Sequence, residues 1–227
     1  MKIVKNIFIL LAFCLPSPLF AQEIPLNKYD LPVVSDIALY NKLVQADSNM
    51  QLVRVTDIPL DIRYATSANF TGQQLYPFAA AWLRRPAYEA LLRLQAALKP
   101  MGLGLKIYDG YRPYRVTEKM WEVVPDDRYA ADPKKGSGHN RGVAVDLTLI
   151  DLKTGRELPM PTDYDNFTEK AHHDYPDLAP EVIENRELLR TMMEAYGFRA
   201  LDTEWWHYYL ADPEIYPLMD IGFDELN

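Results

Sequence analysis

The chain has 227 residues, of which 48% are hydrophobic, 25% charged and 12% aromatic, a balance that excludes disordered, fibrous and multi-span membrane classes. Lysine and arginine number 24 against 32 acidic residues, giving a net charge of −8, and no basic tract is present to neutralise a row of phosphates, so nucleic-acid binding is not expected. A chain this long buries on the order of 70% of its unfolded surface on folding, enough for a core without staples.

At the N-terminus, Lys2 and Lys5 precede an apolar run from Ile7 to Leu15, then Pro16 and Pro18, and Ala21 offers a small residue for cleavage. The pattern predicts a signal peptide over residues 1–21 and an exported, periplasmic protein. The apolar run is about half of the ~20 residues that a membrane span requires, so no span is expected in the mature chain. Cleavage would also remove Cys14, the sole cysteine, which bulky Phe13 makes a poor lipidation site, so disulfides cannot contribute to the exported protein.

The remainder, residues 22–227, contains no repeat, low-complexity tract or Gly/Ser linker and reads as a single domain punctuated by most of the 17 prolines. A helix is predicted over residues 86–98, with Pro86 in its first turn, Tyr88, Leu91, Leu92, Gln95 and Leu98 along one face, and Gly102 beyond its end. A second is predicted over residues 180–196, where Val182, Ile183, Leu188, Leu189, Met192, Met193 and Tyr196 recur at helical spacing before Gly197. Short β-type runs occupy residues 103–108, 143–150 and 205–210. Long helices with separated strands that do not alternate regularly indicate an α+β fold with a small, mostly antiparallel sheet flanked by helices.

Three segments concentrate chemistry. The glycine-rich turn from Gly136 runs through His139 into a strand on which Ala144 and Asp146 share one face and Val143 and Val145 the other. In Glu204-Trp205-Trp206-His207-Tyr208, a carboxylate and an imidazole stand three apart. A straight strand would put them on opposite faces, so a shared site requires a bend at Glu204 or a strand that starts after it. The third segment, Asp109-Gly110-Tyr111-Arg112-Pro113, ends a strand at a turn where Pro113 starts a helix. Two histidines and a carboxylate would make a three-ligand zinc set with one open position. A further carboxylate could then take the proton of an attacking water, and Arg112 could hold the oxygen that becomes negative. Spacing alone leaves another reading open, in which His139 is a turn residue, Asp146 a capped or paired acid and Glu204 the partner of an arginine such as Arg199.

Together, Ser-x-His-Asn-Arg-Gly-x-Ala-x-Asp from Ser137, Asp-Gly-Tyr-Arg-Pro from Asp109 and Glu-Trp-Trp-His-Tyr from Glu204 closely resemble the D-alanyl-D-alanine dipeptidases, the VanX type of zinc peptidase. The resemblance begins near Arg63-Tyr64-Ala65-Thr66, continues through Met160-Pro161-Thr162 and Tyr164-Asp165, and ends at Tyr208. It implies one Zn2+ per chain held by His139, Asp146 and His207, with Glu204 as general base and later proton donor and Arg112 as transition-state stabiliser. It also implies a fold shared with zinc D,D-carboxypeptidases and the Hedgehog signalling domain. A free dipeptide is a zwitterion, and the resemblance puts its amine near Asp165 and Tyr64 and its carboxylate near Ser137. Asp163 is an alternative amine partner, and Gly138 stands where related sequences often carry a second serine. The expected reaction is hydrolysis of D-alanyl-D-alanine to two D-alanines. The alternatives are a D,D-carboxypeptidase or peptidoglycan endopeptidase of the same fold and a non-catalytic, zinc-stabilised wall-binding module. His172-His173 are expected to be structural, Trp205 and Trp206 to be core and cavity wall, and Asp109 to orient Arg112.

Overall fold

The computed structural model describes residues 24–226; the expected signal peptide and Cys14 lie outside the described residues. In chain order the elements are β1 (Val33–Val34), α1 (Ile37–Ala46), β2 (Leu52–Arg54), β3 (Trp82–Arg84), α2 (Arg85–Leu98), β4 (Leu103–Asp109), α3 (Tyr114–Val123), α4 (Gly138–Arg141), β5 (Ala144–Asp151), α5 (Pro180–Ala195), β6 (Phe198–Leu201), β7 (Glu204–Leu210) and β8 (Leu218–Met219). The principal sheet has the order β4-β5-β7-β6 with every pair antiparallel; β2 pairs antiparallel with β3, and β1 parallel with β8. The α+β expectation therefore holds. Among the described residues, no helix is long and apolar enough to cross a membrane.

The two predicted helices form within a residue of their expected ends. In α2, Ala87, Tyr88, Leu91, Leu94, Gln95 and Leu98 are buried on one face, while Pro86 occupies the first turn, where its missing N–H costs nothing. Helix α5 buries Arg186, Leu189 and Met193, and Gly197, at φ +94°, takes the chain out of it. The sequence reading did not find α1, where Asp36 caps the first turn by accepting from the Leu39 amide at 2.8 Å. Nor did it find β6. The stretch at Gly138, read as a turn, is a single helical turn capped by Ser137 and closed by Gly142 at φ +75°.

One core cluster runs from Val34 to Phe223. Phe223, near residue 227, packs its ring 4.5 Å from that of Trp82 on β3 and 4.7 Å from that of Tyr76. An aromatic side chain of this kind removes ~150–250 Å² from water, so each contributes several kcal/mol at about 25 cal/mol/Å². Strand β5, at the centre of the molecule, is buried at seven of its eight positions. Any charged group it carries must therefore find partners inside the protein.

Candidate active site

The register of the central strands assembles the site. Asp146 on β5 lies directly opposite His207 on β7, so the two side chains rise from one face of the sheet. Glu204 joins them because the β6–β7 ladder slips: Ala200 pairs with Tyr208, but Leu201 pairs with Glu204, leaving Trp205, Trp206 and His207 in a bulge. The bend cancels the odd spacing and brings Glu204 Oε2 to 3.9 Å from His207 Nδ1. A second slip, between Ile107 and Asp109, sets Asp109 opposite Asp146.

His139 arrives from α4. Its Nδ1–H donates to the Gly110 carbonyl at 2.8 Å, which fixes the tautomer and presents Nε2 to the site. Gly110 is required by close approach, since a Cβ there would sit 2.7 Å from the Trp82 carbonyl oxygen. Gly138 is crowded in the same way: a Cβ there would lie 2.9 Å from that of Ala144. The Arg112 amide donates to the His139 carbonyl at 3.0 Å, and Asn140 Nδ2 donates to both the Arg112 carbonyl and Thr117 Oγ1, so the two turns are tied into one block.

His139 Nε2, His207 Nδ1 and Asp146 Oδ1 form a triangle with edges of 3.2, 2.9 and 3.4 Å. Ligand pairs around tetrahedral zinc with bonds near 2.1 Å stand about 3.4 Å apart, so this donor set fits such an ion. Among the described residues no other group of histidine, cysteine or acidic side chains converges in this way. Burial pushes the Asp146 carboxyl upward, but the adjacent His139 and His207 rings outweigh that and hold it well below the carboxylate range. The other oxygen of Asp146 accepts from the Tyr164 hydroxyl at 3.0 Å.

Around the triangle lies a cavity of about 270 Å³, lined in part by Tyr64, Arg112, Ser137, Asp165, Glu204 and Trp206. Burial raises the Glu204 carboxyl to about 7, and the charges of Asp146 and Asp165 add to the effect. That value lets it exchange a proton near neutrality. Arg112, 6% exposed, gives Nε and Nη2 to Asp109 Oδ2 at 3.1 and 2.8 Å and lines the cavity. Asp165 sits at φ +62°, breaking the alternation of an extended chain, so that Tyr164 and Asp165 serve the same site. Its Oδ1 accepts from the Tyr64 hydroxyl at 3.0 Å, while Oδ2 is buried without a partner. Burial, with the charge of Asp146, lifts this carboxyl to about 7. Ser137 Oγ caps α4 by accepting from the Asn140 amide and still lines the cavity.

All eight residues singled out from the sequence thus meet around one cavity. Asp163 does not: it is exposed and lines a separate cavity behind Tyr164. His173 is 3% exposed with its ring against Tyr208, Trp205 is core and Trp206 a cavity wall, and Asp109 is bound to Arg112 inside the protein. Sequence reasoning missed Tyr164 as the partner of Asp146 and missed Tyr76, whose hydroxyl donates to Asp109. It also missed the ring contact of Tyr129 with Phe167 at the cavity's edge. No local pattern marks these, because each acts across more than 15 residues of chain.

The chain is 37% identical over 163 residues to the D-alanyl-D-alanine dipeptidase of Escherichia coli strain K12, covering 72% of this chain and 84% of that protein. It is 35% identical over 190 residues to the dipeptidase of Streptomyces coelicolor, covering 75% of this chain and 93% of the relative. It is 34% identical over 177 residues to the Enterococcus faecium dipeptidase, covering 69% and 87%. The model of one family, described as D-ala-D-ala dipeptidase, matches residues 47–221, which takes in every residue of the site, and the chain belongs to that family, peptidase M15.

Proposed function

We propose that the protein is a zinc-dependent dipeptidase that hydrolyses D-alanyl-D-alanine to two D-alanines. The observation that carries this reading is the buried donor triangle with Glu204 beside it and Asp165 lining the same small cavity. His139, Asp146 and His207 would hold the ion, one per chain. Zinc bound there supplies Lewis acidity, drawing electron density from the oxygens of water and of the amide carbonyl.

The chain's own groups do the rest. Glu204 takes the proton of the attacking water on a carboxylate oxygen and returns it to the leaving nitrogen. Arg112, aimed by Asp109, donates to the carbonyl oxygen as it becomes negative. Asp165, with Tyr64 donating to its other oxygen, takes the substrate ammonium, whose desolvation otherwise costs several kcal/mol. Ser137 has a hydroxyl proton left for the substrate carboxylate. A cavity near 270 Å³ falls below the roughly 300–1,000 Å³ of pockets for drug-sized ligands, in keeping with a dipeptide.

The amine pocket separates this activity from a D,D-carboxypeptidase of the same fold, because an acylated N-terminus would leave Asp165 desolvated and unpaired. Purified protein should therefore cleave free D-Ala-D-Ala far faster than its N-acetylated form. Equal rates would favour the carboxypeptidase, and binding without cleavage would favour a wall-binding module, for which Glu204 has no use. Residues 1–21 support export to the periplasm; fractionation and N-terminal sequencing should find a mature chain beginning near Gln22 outside the inner membrane.

A further inference from the structure

We propose that Tyr76 is a positioning residue for Arg112, acting through Asp109; the inference rests on the role given above to Arg112. Tyr76 is 1% exposed and 33 residues away in sequence from the carboxylate it binds. Its hydroxyl donates to Asp109 Oδ1 at 2.7 Å, and the Gly110 amide donates to the same oxygen at 2.9 Å. Oδ2 takes the two Arg112 bonds, so each carboxylate oxygen has two donors and the plane of the group is fixed. Burial and the Asp109 charge hold the Tyr76 hydroxyl well above its ordinary value, keeping it a donor.

Neither Tyr76 nor Asp109 lines the cavity, so both act through Arg112 and not on a ligand. Two effects follow from the arrangement. The first is geometric: a carboxylate held at both oxygens cannot rotate, and the guanidinium bound to it keeps its direction. The second is electrostatic. Donors on Oδ1 draw charge away from Oδ2, so Asp109 cancels less of the arginine's field in the cavity. Tyr76 also reaches the other end of the site: its amide donates to the Tyr64 carbonyl at 2.9 Å, its ring meets that of Tyr64 edge-on at 5.8 Å, and the Tyr64 ring lies 5.3 Å from the Arg112 guanidinium.

Tyr76→Phe keeps the ring and backbone contacts and removes only the hydroxyl. A hydrogen bond to a charged group corresponds to about a tenfold to hundredfold fall in kcat for free D-Ala-D-Ala. KM should stay within about twofold, zinc content should be unchanged, and a phosphinate analogue of the tetrahedral state should bind more weakly by the factor lost in kcat. In an Asp109→Asn background the same substitution should cost little more, because the pathway is already cut. Wild-type kcat in Tyr76→Phe, a loss shared by KM and metal content, or fully additive losses in the double variant would each overturn the proposal. Arg112→Ala separates the layers. If it loses kcat while Tyr76→Phe does not, only the positioning role fails; if it keeps kcat, or the wild-type chain does not hydrolyse the dipeptide, the mechanism falls and the proposal with it.

Discussion

Replacing Asp165 with asparagine should make the substrate-free protein more stable, and more so as pH rises. The carboxyl ionises near 3.8 in an unfolded chain and at about 7 in the fold. Its contribution to stability is therefore full below 3.8 and is lost progressively as pH rises to about 7, after which it is constant. At about 1.36 kcal/mol per pH unit, the advantage of asparagine should grow by about 2 to 3 kcal/mol between pH 5 and pH 7. Asparagine retains an oxygen for the Tyr64 hydroxyl and offers an uncharged amide where Oδ2 is unpaired, so the packing is kept. Thermal melts of the chelator-treated protein from pH 5 to 8 read the effect directly, and the melting temperatures should diverge by roughly 5 to 10 °C over that interval. Glu204 gives both proteins a slope of the same sign, and removing the Asp165 charge lowers the Glu204 carboxyl as well, which widens the difference in the same direction. Parallel pH profiles, or an asparagine variant less stable than wild type at pH 8, would refute the argument. The same substitution should weaken binding of the free dipeptide by more than about thirtyfold, the charged partner of a buried ammonium being worth upwards of 2 kcal/mol.

Glu204→Gln should lose about two to four orders of magnitude in kcat with zinc retained, whereas His207→Ala should lose metal and turnover together, as metal analysis beside rate measurements will show. Tyr164→Phe should weaken zinc by about tenfold to a hundredfold in a competitive chelator titration, with near-normal kcat once zinc is saturating, because only the support of Asp146 is removed. His173 is buried with neither ring nitrogen hydrogen-bonded, and burial lowers its value to about 4, so its own contribution to stability, opposite in sign to those of Asp165 and Glu204, should be lost as pH falls from 6.5. His173→Phe should abolish that slope, opening a gap of about 2 to 3 kcal/mol by pH 4 in urea melts; an unchanged acid slope would refute it.

Much of the fold was legible because its signals are local. Helices α2 and α5 carry proline at one end, glycine beyond the other and a regular apolar stripe between, and the strands β4, β5 and β7 are short β-rich runs. Helix α1 buries only Leu39 and Tyr40, too few to mark a face, and β6 is four residues whose pairing is defined by β7 and not by its own composition. The site divides the same way. His139, Asp146, Glu204, His207 and Arg112 sit in dense motifs that a reader can recognise. The bulge that unites Glu204 with His207 appears in the sequence only as an awkward spacing, and Tyr76 and Tyr164 reach their carboxylates across 33 and 18 residues with nothing in between to announce them.

The adjacency of Tyr164 and Asp165 has a thermodynamic consequence. One residue steadies Asp146 in the donor triangle and its neighbour would take the substrate ammonium, and the left-handed turn at Asp165 makes them parts of one rigid step. Because the two side chains share that step, ion and dipeptide should each bind more tightly when the other is already in place. Such coupling is reciprocal by necessity: whatever factor the ion adds to affinity for the dipeptide, the dipeptide must return to affinity for the ion. In a compartment poor in free zinc, the substrate itself would then help the protein to retain its metal.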